Sequence, residues 1–577
     1  MSLGTTSAGG ERSSARPESS GQETSLLWAP LLTICASAFA VEIPFFFFGT
    51  PSGHDVEFHL YSWLEVLAQW KHGILYPRWA ALAHFGYGEP RFVFYPPASW
   101  LLGALVSAVF PWTIASSVYI GIVLVAAGTS MFMLARRWMS RRDAIFAAAL
   151  YAVNPYHLVI VYWRSAFAEL LASCLLPILL LLVLRVAEEG WRVVAPLALM
   201  LAAAWLTNAP AAVMIHYSFA LLIVFVAWQR RAPRVLLVGA AAVGLGACLA
   251  GFYLLPAVYE QRWVNIAEAV SAGSRPPDNF LFIHTTDADH DRFNRIISWI
   301  AVLEMVVTFT AAWAARSFLQ KSATGEESSG KLSLHESRRL TNVGLRVLAA
   351  WAGVCSGLMF SPTAVAWRLL PKLEFMQFPW RWLLCLSMVF AIFVTMGLRK
   401  WWMRIAVYVV AILLIATAWR GIQPPWWDNA GDLREMQDNM YTGAGYEGTD
   451  EYTPVGADPA SVDKDAATVA VNGPAQGEIR ISEWTAESRT FTAEMSAPGQ
   501  LTLRLFRYPA WKTEVNGHPV RTAEKAGTGQ MLVPVAAGMN QVQIRFVRTW
   551  DRAAGGWISV MAACGLFGVL IEKRRGP

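Results

Sequence analysis

Residues 53–59 read GHDVEFH and set four ionisable side chains, His54, Asp55, Glu57 and His59, within six positions. Two carboxylates this close suit two kinds of chemistry. One can take a proton from, or orient, an attacking hydroxyl while the other assists. Alternatively the pair, Asp55 and Glu57, can help hold a divalent cation, Mg or Mn. The spacing matches no established zinc pattern. Asp55 and Glu57 share a face in extended or turning backbone and point apart on a helix. Asp55 and His59 are four apart and align on a helix that starts at Asp55, where the aspartate also suits the N-cap.

These residues follow VEIPFFFFGT at the end of the first apolar run of a chain of 577 residues that is 55% hydrophobic and 15% charged. Soluble domains carry about 25% charge, so the composition excludes a soluble protein and specifies a polytopic membrane protein. Many of the tryptophans lie near the ends of apolar runs, as in interfacial aromatic belts. The net charge of +6 is modest and sits in short clusters, and no nucleic-acid partner is expected. All six cysteines, Cys35, Cys174, Cys248, Cys355, Cys385 and Cys564, fall in apolar runs without disulfide or CxxC spacing.

Residues 1–25 are Ser-, Gly- and Glu-rich and are expected to be disordered in the cytoplasm. AFA at 38–40 offers a signal-peptide cleavage site, but the apolar run continues past it, and the segment reads as an uncleaved first span. RRWMSRR (136–142), QRRAPR (229–234), RKWWMR (399–404) and EKRR (572–575) belong on the cytoplasmic side, as does the polar loop 316–346. The apolar stretch 98–110 is too short to cross and is expected to remain on the outer side. About twelve spans result, with both termini inside. The expected fold is mainly α. Residues 26–420 form a transmembrane helical bundle with a first outer loop at 49–112. Residues 421–553 form an extracytoplasmic β-sandwich, and 554–577 form a last transmembrane helix and cytoplasmic tail. Period-two patterns at 501–506 and 541–547 and the VNGH turn at 515–518 motivate the sandwich. Residues 58–70 have helical spacing and suit an amphipathic helix lying on the membrane.

Other polar groups are expected on the outer side. YWRSAFAE contributes Arg164 and Glu169, LYPRW contributes Arg78, and QFPWRW contributes Arg381. Charges at membrane depth are costly and face cavities, although each alone also fits an interfacial anchor. Together with an acidic loop they suit an anionic, membrane-borne ligand, because the guanidinium fork binds phosphate bidentately.

HDVEFHLYSW, GILYPRW, GYGEPRFVFYPP, RSAFAE, QFPWRW, GYEGTDEYTP and YPAWKTEVNG together resemble the bacterial membrane family called 6-pyruvoyl-tetrahydropterin synthase-related, and more broadly the GT-C glycosyltransferase superfamily. Pterin synthase chemistry of that name requires a His-x-His zinc pair, which this sequence lacks. The resemblance implies a transferase in a bacterial inner membrane, with a polyprenyl-phosphate sugar as donor and a glycan, lipid or protein as acceptor. By position Asp55 matches the carboxylate that acts at the acceptor, and Glu57 is the second carboxylate, spaced by one residue where such pairs are often adjacent. His54, His59, Arg78, Arg164, Glu169 and Arg381 are the expected substrate-binding residues. A lipid or glycan transporter and a non-catalytic glycan-binding scaffold are the alternatives. The transporter requires inverted repeats or helices broken at mid-membrane; the scaffold requires a dispensable acidic loop.

Overall fold

The computed structural model describes residues 20–324, 332–422 and 427–575. The expected disordered segment therefore lies outside the described residues up to residue 19, and the first helix runs Ser20–Glu42. Among the described residues, seven helical runs are long and apolar enough to cross a membrane, or nine if each of two bent pairs is one span. Twelve were expected. Hydropathy alone does not show how apolar runs join or bend. The expected spans at 166–186 and 193–208 belong to one run, Phe167–Thr207, interrupted by a 3-10 turn at Gly190–Val193. Those at 235–256 and 345–361 fall in the two pairs bent by 76° and 91°. Those at 403–420 and 554–572 lie in helices Trp401–Ile422 and Trp550–Arg575, whose distal side chains fall outside the described set.

Arg141–Arg164 and Pro379–Gly397 are the most enclosed runs, each 89% buried inside the protein, whereas Trp28–Phe48 is only 28% buried. Arg164 and Arg381 stand at one end of these two central runs. The basic clusters gather at the other end, where Arg404 pairs with Asp143, and Arg137 meets Glu188 at 2.8 Å. Positive-inside logic expects that basic end on the cytoplasmic side. A Ser140→Cys protein is expected to resist an impermeant thiol reagent applied to intact cells; strong labelling would invert the arrangement.

The loop at 49–112 folds onto the bundle. Its helix, Val56–Lys71, was expected to lie on the membrane, yet it is covered on most sides, including its polar residues Ser62, Glu65 and Gln69. The reason is a second layer of partners. Pro97–Val109, the short apolar helix, packs against it so closely that a Cβ at Gly103 would lie 2.0 Å from the Trp63 ring. On the polar side Glu65 accepts from Leu82 N at 2.6 Å and from Tyr446 OH at 3.3 Å.

Residues 427–461 open the C-terminal region with a two-residue strand, Trp427–Asp428, and then a helix, ahead of the sheets. Asn429 and Asp432 form a capping box for Ala430–Thr442, which buries Leu433, Met436 and Met440 on one face. Two antiparallel sheets follow. The four-stranded sheet has the order Val469–Asn472, Gly499–Phe506, Gln530–Val535, Ala523–Glu524. The five-stranded sheet has the order Gly477–Trp484, Ser488–Met495, Gly538–Phe546, Trp511–Val515, His518–Val520. Phe491, Leu503, Val533 and Val542 from the two sheets share one apolar core. At the VNGH turn, Asn516 and Gly517 both take positive φ, 52° and 78°, and Val515 pairs with His518. This is the backbone a two-residue hairpin favours.

Candidate functional site

The YWRSAF stretch breaks the helical ladder. Ile160–Arg164 is a π-helical turn, Ser165 is left-handed at φ 47°, and a new helix starts at Phe167. π-turns often occur at functional sites. The break frees backbone groups that the loop at 49–112 takes up. His54 N donates to Trp163 O at 3.2 Å and Asp55 N to Arg164 O at 2.8 Å. Gly53 makes the crossing feasible, because a Cβ there would lie 2.7 Å from Arg164 C and Ser165 N. Asp55 is thereby fixed beside Arg164.

Asp55 occupies the N-cap position of Val56–Lys71, but its side chain makes no capping bond. It turns instead to His54 Nδ1 at 2.7 Å and Arg164 Nη2 at 3.4 Å. Arg164 Nη1 reaches Glu169 Oε2, and Arg381 Nε lies 3.2 Å from the same oxygen. Tyr156 OH donates to Glu169 Oε1 at 2.5 Å. Arg381 also donates to Met376 O at 2.6 Å and Gln377 Oε1 at 3.0 Å. Phe378 lies under both guanidiniums, 5.4 Å from Arg164 and 4.7 Å from Arg381. The result is a chain of alternating charge: Asp55, Arg164, Glu169, Arg381. Asp55 is the most open of the four, with 28% of its side chain exposed against 8% or less for the others.

Burial alone would raise the Asp55 carboxyl, but the hydrogen bond from His54 and the charge of Arg164 outweigh it and hold Asp55 well below the usual carboxylate range. The same contact raises His54. His59 is buried and lowered to about 4, burial being the main cause. Neutral His59 accepts from Phe167 N at 3.1 Å through Nε2, so its proton sits on Nδ1, which has no hydrogen-bond partner among the described residues. Its ring stacks on Phe167 at 5.1 Å.

Of the residues singled out in the sequence, His54, Asp55, His59, Arg164, Glu169 and Arg381 come together. Glu57 does not join them. It is exposed, makes no hydrogen bond or ion pair among the described residues, and its charge bears on Asp428 and Tyr61 instead. Among the described residues no group of three or more His, Cys, Asp or Glu side chains is placed to hold a metal ion. Arg78 packs over the Tyr76 ring at 4.3 Å and feels Arg552, Glu260 and Glu487. Tyr156 and Ser165 carried no signal of their own in the sequence. Their roles arise only from the break in the helix.

A second buried network lies behind the first. Glu89 meets Arg91 Nε at 2.6 Å, His84 Nε2 at 2.9 Å and Thr449 N at 2.8 Å. Burial would raise Glu89, but the Arg91 charge and the His84 hydrogen bond bring it to about 2. GYGEPRF and GYEGTDEYTP, far apart in sequence, are thus one structural unit. A two-residue ladder, Thr50–Asp428 and Pro51–Trp427, closes the other side of the loop.

Apolar helices long enough to cross a bilayer, enclosing a paired-arginine site under a folded polar region, define a polytopic membrane protein. The chain belongs to the 6-pyruvoyl-tetrahydropterin synthase related family of membrane proteins, whose family profile matches residues 92–423. That match includes Arg164, Glu169 and Arg381 and begins after Asp55. Two solved structures are similar over part of their length. Mycobacterial arabinofuranosyltransferase AftD is 15% identical, with a TM-score of 0.37, covering 73% of this chain and 27% of that one. An Archaeoglobus fulgidus oligosaccharyltransferase is 12% identical, with a TM-score of 0.35, covering 73% of this chain and 55% of that one. This chain therefore spans about a quarter to a half of the proteins it matches. No curated protein matches it.

Proposed function

We propose that the protein is an integral-membrane glycosyltransferase working at the outer face of a bacterial inner membrane. It moves a sugar from a polyprenyl-phosphate donor to an envelope glycan, lipid or protein. The observation that supports this reading best is the ionised, partly open Asp55 carboxylate held against Arg164, with Arg381 one carboxylate further in. The acceptor hydroxyl oxygen forms a bond to the anomeric carbon as the bond to phosphate breaks. Asp55 orients the hydroxyl and receives its proton, and Arg164 and Arg381 receive the phosphate that leaves. Glu57 assists from the rim, and a divalent cation there would need a further ligand from substrate. The C-terminal sheets pack as a β-sandwich that caps the cavity or binds acceptor.

An incoming phosphate competes with Asp55 for Arg164. Loosening that 3.4 Å contact returns basicity to Asp55 when the donor is in place. Mass spectrometry of envelope glycans from cells with and without the gene tests the function. One sugar is expected to be missing without it, and identical profiles would count against transfer. In the purified protein, Arg381→Ala is expected to raise the donor KM about tenfold or more, and Arg381→Lys by less, since Lys keeps the charge and loses the fork. Equal rates for both variants and wild type at limiting donor would remove Arg381 from the site.

A further inference from the structure

Two tyrosines from distant parts of the chain stand at the edge of this site with hydroxyls that make no hydrogen bond among the described residues. Tyr95 follows the Arg91–Phe94 turn, and its N–H donates to Arg91 O at 2.8 Å. Its ring lies 4.6 Å from Phe58, edge to face, and 5.9 Å from His59. The charges of both Asp55 and Arg381 bear on its hydroxyl. Tyr452 lies 6.4 Å from the same Phe58 ring and stacks on Phe94 at 5.8 Å with ring planes 14° apart. The buried Glu89 network sets its position. Thr449 is bonded to Glu89, Thr453 Oγ1 lies 3.3 Å from His84 Nε2, and Tyr452 N donates to Thr449 O. Phe58, Tyr95 and Tyr452 are each half-buried, so none of the three is sealed in the core.

An open run of aromatic rings carrying unpaired hydroxyls has a specific chemical complement. One face of a sugar ring presents C–H groups that pack on an aromatic face, while its rim of hydroxyls takes hydrogen bonds from groups such as phenols. An isoprenoid chain would use the rings and leave the phenols unpaired. We infer that Phe58, Tyr95 and Tyr452 form a saccharide-binding wall that seats a sugar ring against Asp55, completed only when the first outer loop and the C-terminal region meet. This inference rests on the transferase reading of the Asp55 site. The ring belongs either to the acceptor glycan or to the donor sugar.

The test uses the full chain in lipid nanodiscs and three probes: an array of defined bacterial mono- to tetrasaccharides, undecaprenyl phosphomannose, and bare undecaprenyl phosphate. Tyr95→Ala and Tyr452→Ala are each expected to weaken saccharide binding about tenfold, with bare phosphate binding unchanged. Loss on the array alone assigns the wall to the acceptor. Loss on phosphomannose alone assigns it to the donor sugar. Should the Ala variants fail to insert, Tyr95→Phe and Tyr452→Phe keep the ring packing, and losing a hydroxyl should weaken binding two- to tenfold, roughly. Unchanged saccharide binding in the variants overturns the wall, as does the absence of any saccharide-dependent binding by wild type. Failure of wild type to bind bare undecaprenyl phosphate, with array binding still sensitive to the tyrosines, overturns the donor reading and leaves the wall standing.

Discussion

Asp55→Asn is expected to leave the protein folded and inserted while slowing sugar transfer by about 100- to 10,000-fold. Asparagine keeps the size of the side chain and an acceptor oxygen for Arg164. It loses the charge and the ability to take a proton. Because the Asp55 side chain makes no capping bond to Val56–Lys71, the helix loses little. The pH profile carries a second expectation. The active carboxylate is the ionised form, so activity is present above its pKa and falls as pH drops through it. His54 and Arg164 depress that pKa, so the acid limb of kcat/KM should lie below the ordinary aspartate range of about 3.9. His54→Ala removes the hydrogen bond and should move the limb upward. Wild-type rates in Asp55→Asn would end the catalytic reading of the loop.

Glu169→Ala is expected to have the largest effect on stability. Glu169 is buried and takes contacts from Arg164, Arg381 and Tyr156. Removing it leaves two guanidiniums in the interior with one carboxylate, Asp55, which is paired with Arg164. Breaking a buried pair in this way costs about 3–5 kcal/mol. The folded yield should fall and the unfolding midpoint in detergent should drop by several degrees. Glu169→Gln fills the space and hydrogen-bonds but leaves the charge uncompensated, so its loss should be intermediate. Glu57→Gln is the comparison: an exposed carboxylate without an ion pair should change the midpoint very little. An unaltered midpoint in Glu169→Ala would show that the four-residue chain of charges does not hold the site together.

The parts legible in the sequence share a physical cause. In an apolar chain a buried charge is expensive, so Arg164, Glu169 and Arg381 stand out without any structure, and they do converge with Asp55. The VNGH turn was legible because few residues accept positive φ in succession. The place of Glu57 was not legible, because two carboxylates near each other in sequence need not share a face; the helix that begins at Val56 carries Glu57 toward Asp428. The helix at 56–71 resembled a membrane-surface helix because its polar face is polar. Its cover, including Tyr446, comes from the other end of the chain. How the apolar runs join was the least legible, since the break at Gly190–Val193 and the two sharp bends appear only in the structure.

The bond between Glu89 and Thr449 joins residues 360 positions apart. At ribosomal rates of roughly 5–20 residues per second, about 20 to 70 seconds separate the two. Through that interval the emerging loop holds Glu65, Glu89 and Arg91 without the segment that will cover them, and water must satisfy these groups instead. The loop is therefore among the first parts of the protein to be made and among the last to be finished. Completion of the site waits on the segment around residue 449, and a chain that stalls before it presents the cell's quality-control proteases with a bundle bearing an open, hydrated loop.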